Sequence, residues 1–212
     1  MYTRRLLTVV LLICLCSATA MAANVVEEKK PAIGAHVLYS WVPGGLLNIG
    51  YDQYTHLSSL AYGVYASYGF GAYDLQFEVN NWNIMMGAGN WTKSGGTLAD
   101  KNYLKPMNLG MVDFDMSVLW KWRVHEAVEP YVGPTFGFGA FYGKVKQDSY
   151  YDHGPLTGQR QFDWQTKHLP PVIPFAGLMG GCRFYPMKNL RLSVDLGFMA
   201  GLFGGVSMGY AF

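Results

Sequence analysis

A stretch of eleven residues in the middle of the chain constrains the fold most tightly. From Val112 to Trp122 every even position is apolar: Val112, Phe114, Met116, Val118, Trp120 and Trp122. The odd positions include Asp113, Asp115, Ser117 and Lys121. A period of two marks an extended strand, because successive side chains point to opposite faces. Residues 190–202 repeat the pattern. Leu190, Leu192, Val194, Leu196, Phe198, Ala200 and Leu202 share one face, and Arg191, Ser193, Asp195, Gly197, Met199 and Gly201 the other. Residues 73–80 set Tyr73, Leu75, Phe77 and Val79 against Asp74, Gln76, Glu78 and Asn80. Helical periodicity is poor throughout.

The composition decides which face meets what. Only 14% of the residues are charged, against about 25% in an average soluble domain. A soluble sandwich crowds its polar faces with Lys, Glu and Thr; these polar faces hold few charges and many Gly and Ser, as a narrow interior requires. The apolar faces run unbroken for about ten residues, the length with which a tilted strand crosses a bilayer. Trp41, Trp91, Trp120, Trp122, Tyr142 and Tyr185 fall near strand ends, where interfacial aromatics belong. A formal charge of +2 gives no global basic field for nucleic acid, and the high aromatic content counts against a disordered chain.

The first 22 residues read as a secretory signal peptide. Arg4 and Arg5 precede an apolar run from Leu6 to Cys16, and Ala20-Met21-Ala22 fits a small-residue cleavage site. The remaining 190 residues, 23–212, read as one barrel domain with 14 basic and 14 acidic side chains. Cys182 is then the last cysteine, which leaves neither an internal disulfide nor a Cys-based zinc site.

Eight strands account for this domain, at about 32–41, 58–69, 72–90, 107–122, 129–146, 174–186, 188–200 and 203–212. The apolar alternation in the third slips near Asn80-Asn81, after which Trp82, Ile84 and Met86 share a face; a β-bulge there keeps the strand count even. The fifth strand turns Val132, Phe136, Phe138, Ala140 and Tyr142 outward and Gly133, Gly137, Gly139 and Gly143 inward. Connections alternate in length. Those at 70–71, 123–128 and 186–188 are short, those at 42–57, 91–106 and 147–173 are long, and a very short one lies near 202–205. Short inner turns and longer outer loops are the habit of outer-membrane barrels.

The chain ends with Val206, Met208, Tyr210 and Phe212 alternating with small residues. A terminal aromatic on such a strand resembles the signal read by the bacterial barrel-assembly machinery. With the leader and the strand count, the layout resembles the small outer-membrane barrels of the OmpA/OmpX/OmpW-like kind. The resemblance implies an all-β, eight-stranded, antiparallel up-and-down transmembrane barrel in the bacterial outer membrane. Its implied partners are outer-membrane lipid, lipopolysaccharide and the assembly machinery.

Inside such a barrel Asp74, Glu78, Asp113, Asp115 and Asp195 face Lys121, Arg183 and Arg191, with His36 nearby. In a low-dielectric bore these charges must pair, so an ion-pair network filling the lumen is expected. Eight strands leave room for side chains or one small ligand, which excludes a wide aqueous pore. The expected function is therefore non-enzymatic: an envelope barrel with surface loops, without cofactor, metal or nucleic-acid partner.

Two alternatives carry their own cues. Leu38, Tyr65, Met85, Met111 and Met199 would suit an OmpW-like conduit for a small apolar molecule. His56-Leu57-Ser58 has the His-x-Ser spacing of outer-membrane lipid A deacylases, with Ser as nucleophile and His as base. It lies early in the chain, lacks the following Asn and has no assignable orienting carboxylate. His153 with Asp148 and Asp152 lacks metal-ligand spacing, and Cys182 falls on the lipid-facing side.

Overall fold

The computed structural model describes residues 31–96, 102–149, 164–167, 172–199 and 201–212. Eight long strands form one closed antiparallel sheet. They are β1 (Pro31–Trp41), β3 (Leu57–Phe70), β4 (Tyr73–Met86), β6 (Asn102–Lys121), β7 (Val128–Ser149), β9 (Ile173–Phe184), β10 (Leu190–Phe198) and β11 (Leu202–Ala211). The hydrogen-bonded order β6-β4-β3-β1-β11-β10-β9-β7 returns to β6, so no edge remains in the ring. The first strand pairs with the last, with Ile33 opposite Tyr210 and Val37 opposite Val206. Closure satisfies the backbone of every ring strand, the condition for a sheet that contacts hydrocarbon.

The remaining elements build on one rim. Helix α1 (Gly44–Leu47) and the short strands β2 (Tyr51–Gln53), β5 (Gly89–Lys93) and β8 (Trp164–Lys167) extend the sheet beyond the barrel wall. β5 pairs with the first residues of β6, β2 pairs with β5, and β8 pairs with the last part of β7. The segments expected to be long open loops are thus partly strand. Strands β6 and β7 run 20 and 22 residues and stand well above the rest of the wall. On the opposite rim the links are short. Gly71-Ala72 joins β3 to β4, and Gly71 takes a φ of 70°, as a two-residue hairpin turn needs. The last link on the long-loop side lies at 199–201, slightly earlier than the sequence suggests.

The expected bulge at Asn80-Asn81 is absent. Pairing of β4 with β3 runs in unbroken register from Leu57↔Met86 to Phe70↔Tyr73, and pairing with β6 is equally continuous. Alternation never slips; the inward face changes character. Asp74, Gln76, Glu78 and Asn80 point inward, and Trp82, on the same face, is also buried in the bore. The real register shift lies on β6 between Met107 and Gly110. Asn108 there has a φ of 49° and Gly143 opposite has 90°, both in the left-handed region.

The outer surface is apolar. Val64 and Val206 are each 59% exposed, Leu196 61% and Phe138 54%. A water-soluble fold would bury such residues rather than align them in a continuous belt. Among the described residues no helix is long and apolar enough to cross a membrane.

Candidate functional site

The chemistry of the molecule lies on the inward faces. Near the short-turn rim, Asp74 receives Lys121 Nζ at 2.7 Å and a hydrogen bond from Arg183 Nη1. The same Arg183 nitrogen donates to Glu129 Oε1 at 3.1 Å, and the guanidinium carbon lies 4.4 Å from the centre of the Tyr131 ring. Glu129 also accepts from Tyr185 at 2.9 Å and lies 3.6 Å from Arg123. Arg183 is 1% exposed and Asp74 is as deeply buried. A buried guanidinium with two carboxylates and an aromatic face balances its charge locally.

Gln76 links this layer to the next. Its carbonyl accepts from Arg183 at 3.5 Å and its amide donates to Glu78 at 2.7 Å. Glu78 lies 3.7 Å from His36, which also meets the Asn80 side chain. Asn80 donates to Asp115 at 3.1 Å. Tyr131 donates to Asp195, Arg191 to Ser67 at 3.0 Å, and Ser117 and Thr135 share a bond of 2.7 Å. The nine charged or ionisable residues singled out from the sequence all face the bore, and all but the half-buried Lys121 are buried. His36 and Glu78 lie side by side, and the other seven divide into two sets. Asp74, Lys121 and Arg183 join in direct ion pairs. Asp113, Asp115 and Asp195 are held by the neutral donors Trp82, Asn80 and Tyr131, and Arg191 donates to a hydroxyl.

Sequence reasoning missed Glu129, Tyr131, Arg123 and Tyr185, and it placed Gln76 and Asn80 on the polar face of β4 without assigning them a part in the network. Tyr131 shares the odd face of β7 with the inward glycines, so parity alone could have found it. Tyr185 turns toward Glu129 rather than toward lipid. Trp91 is buried against Tyr51 and Tyr54 in the rim extension rather than at a strand-end girdle. Trp41, Trp120 and Tyr142 are the exposed aromatics of that set.

Above Asn80 the inward face becomes apolar. Trp82 forms the boundary, with its indole N–H donated to Asp113 below. Beyond it a cavity of about 580 Å³ opens toward the long-loop rim, lined by Trp82, Ile84, Met86, Met111, Phe175 and Met199 among others. Of the conduit cues, Met111 and Met199 line this cavity, and Leu38 and Tyr65 are buried in the bore. Met85 is instead 40% exposed on the outer face, because the missing bulge leaves its parity unchanged. Ser58 borders the cavity, while His56 is exposed at the loop. Val206, Met208, Tyr210 and Phe212 are all exposed on the outside. Cys182 is a free, half-buried thiol on the outward side of β9. Among the described residues no group of His, Cys, Asp and Glu is arranged to hold a metal. The signal peptide, Asp152 and His153 lie outside the described residues, and for Asp148 only the backbone position is described.

Comparison with solved structures turns on this architecture. Neisserial surface protein A superposes with a TM-score of 0.50 at 9% identity, over 85% of this chain and 95% of that one. The fold is that of the small eight-stranded outer-membrane β-barrels. Ail, the attachment invasion locus protein of Yersinia pestis, gives a TM-score of 0.48 at 14% identity, over 87% and 99% of the two chains. The N-terminal β-barrel domain of Pseudomonas aeruginosa OprF gives 0.37 at 12%, over 84% and 99%. No protein-family model and no curated protein matches the sequence.

Proposed function

We propose that the protein is a non-enzymatic barrel of the bacterial outer membrane, closed along the lower half of its bore, with its long-loop rim facing outward from the cell. The observation that carries this reading is the exposed apolar belt around an edgeless sheet, which only acyl chains can cover. Its partners are then outer-membrane lipid, lipopolysaccharide and the assembly machinery, the last reading the outward stripe that ends at Phe212. Its role is in envelope structure and surface interaction. The packing of Arg183, Leu119 and Tyr131 across the bore supports a lumen that does not conduct. Two measurements test this. The folded protein in outer-membrane fractions should change gel mobility on boiling, and in planar bilayers it should give no stable conductance steps. Recovery as a freely dissolved periplasmic protein would overturn the location, and discrete steps would overturn the closed bore.

The apolar cavity favours a second reading, capture of a small uncharged molecule from outside. Its volume lies within the usual range for ligand pockets, and its soft methionines adapt to varied shapes. A polarity-sensitive naphthylamine dye should bind the folded barrel and lose at least tenfold in affinity on Met199→Glu. Equal binding by both proteins rejects the site.

A further inference from the structure

Two serines meet in the upper part of the bore. Ser40 on β1 and Ser59 on β3 are direct register partners. Both have the inward parity of their strands: Ser40 follows His36 and Leu38, and Ser59 precedes Ala61 and Tyr65, all four of them buried. Hydroxyl residues set opposite each other on a sheet ordinarily bond across the pair. Lower in the same bore the register partners Ser117 and Thr135 do so, at 2.7 Å. Ser40 and Ser59 do not. Neither side chain makes a hydrogen bond among the described residues, and both are half-buried and line the apolar cavity.

Their surroundings determine what the two hydroxyls can serve. Ile84, Met86, Met111, Phe175 and Met199 bring neither oxygen nor nitrogen to the cavity, and the Trp82 N–H is already given to Asp113. No cationic side chain is among the described lining residues, so a carboxylate or phosphate would enter without a counter-charge. No anionic side chain is among them either, which leaves an ammonium equally unmatched. Directly opposed residues hold their Cβ atoms about 4.5–5.5 Å apart, so one oxygen lying between the pair can accept from both hydroxyls. A carbonyl oxygen has two lone pairs for this and asks for no acceptor in return.

We propose that Ser40 and Ser59 hold the carbonyl oxygen of an uncharged, otherwise apolar guest, a ketone or ester whose hydrocarbon part fills the cavity beside Met111, Phe175 and Met199. The proposal rests on the capture reading and names the chemical class of the guest. The test displaces the naphthylamine dye from the full chain folded in phosphatidylcholine vesicles, with protein-free vesicles as the blank. The competitors are 2-acetonaphthone and 2-isopropenylnaphthalene, which carries a methylene where the ketone carries its oxygen. 2-Naphthoate supplies the charged comparison.

A neutral hydrogen bond is worth about fivefold in affinity, so S40A/S59A should weaken the ketone about twenty-fivefold and leave the hydrocarbon unchanged. In the native barrel the ratio of ketone to hydrocarbon affinity should exceed the ratio of their partition from water into hexadecane by a similar factor, a reading that needs no variant. Equal losses for the two competitors in folded S40A/S59A overturn the serine site and leave capture standing, as does a native ratio no higher than that of the solvent. Naphthoate that binds as tightly as the ketone overturns the uncharged assignment. A native barrel that does not take up the dye overturns both readings.

Discussion

Val64 stands at the centre of the outward stripe of β3, with Leu60 and Tyr62 on one side and Ala66, Tyr68 and Phe70 on the other. It is 59% exposed and lies opposite Ala35 and Val79, so its isopropyl group borders the surrounding phase. Replacing it with Arg removes little packing and adds one charge at mid-height. If acyl chains cover this belt, the charge costs about 2–4 kcal/mol near the midplane. Tyr68→Arg, four residues nearer the turn, moves the same charge roughly 10 Å along the membrane normal for a strand tilted by about 45°. There the cost falls to about 0–1 kcal/mol. The two variants should therefore differ by about 2 kcal/mol, close to thirtyfold in the unfolding equilibrium. Urea titration in phospholipid vesicles, read by the gel shift between folded and unfolded barrel, measures the difference. If the face were bathed in water, both substitutions would be nearly neutral. Equal, small effects at the two heights would refute the claim that lipid covers the belt.

Other expectations follow from the bore. Arg183→Met leaves Asp74 and Glu129 buried without their shared cation and should cost about 3–5 kcal/mol in the same titration; adding Asp74→Asn should recover part of it, whereas additive losses would show that the pair is uncoupled. A Cβ at Gly133 would run into the backbone carbonyl of Val118, so Gly133→Ala should cost about 3 kcal/mol. Gly45→Ala, with open space around the new methyl, should be neutral or stabilising by up to about 1 kcal/mol, and equal effects at the two positions would argue against the tight wall between β6 and β7.

The fold was readable because a two-sided sheet writes its two environments into alternate letters. Val112–Trp122 needs only the pleat to place Phe114 against lipid and Asp115 in the bore. Closure then follows from the polarity of the inner face and from the even strand count. The rim was less readable. Residues 102–106 and 147–149 carry no clean alternation, because a strand that rises beyond the membrane has water on its outer side. Their pairing is set by neighbours far away in sequence. The mini-sheet around Trp91 was hidden for the same reason: three or four residues of strand give too short a pattern to separate from loop. Pairing within the bore also escaped a one-dimensional reading. Parity places Asp113 and Arg191 inside, but their partners depend on which strands face each other across the lumen.

Trp82 shows how the misplaced bulge arose and what it conceals. An apolar residue following Asn80 on a polar face reads as a slip of register, since both faces then look greasy. The continuous ladder on both sides of β4 removes that explanation, so the inner face itself must change phase along the axis. Charged side chains near the turns pair with one another across the bore. Higher up, Ile84, Met86, Met111 and Met199 bring apolar side chains instead, and a cavity remains. The Trp82–Asp113 bond joins the two regimes: the indole ring faces the cavity while its N–H satisfies a carboxylate below. The proposed capture of an uncharged molecule draws on the apolar outer half of the bore alone, so Met199→Glu should abolish dye binding while leaving the ion pairs around Arg183, and the folded barrel, intact.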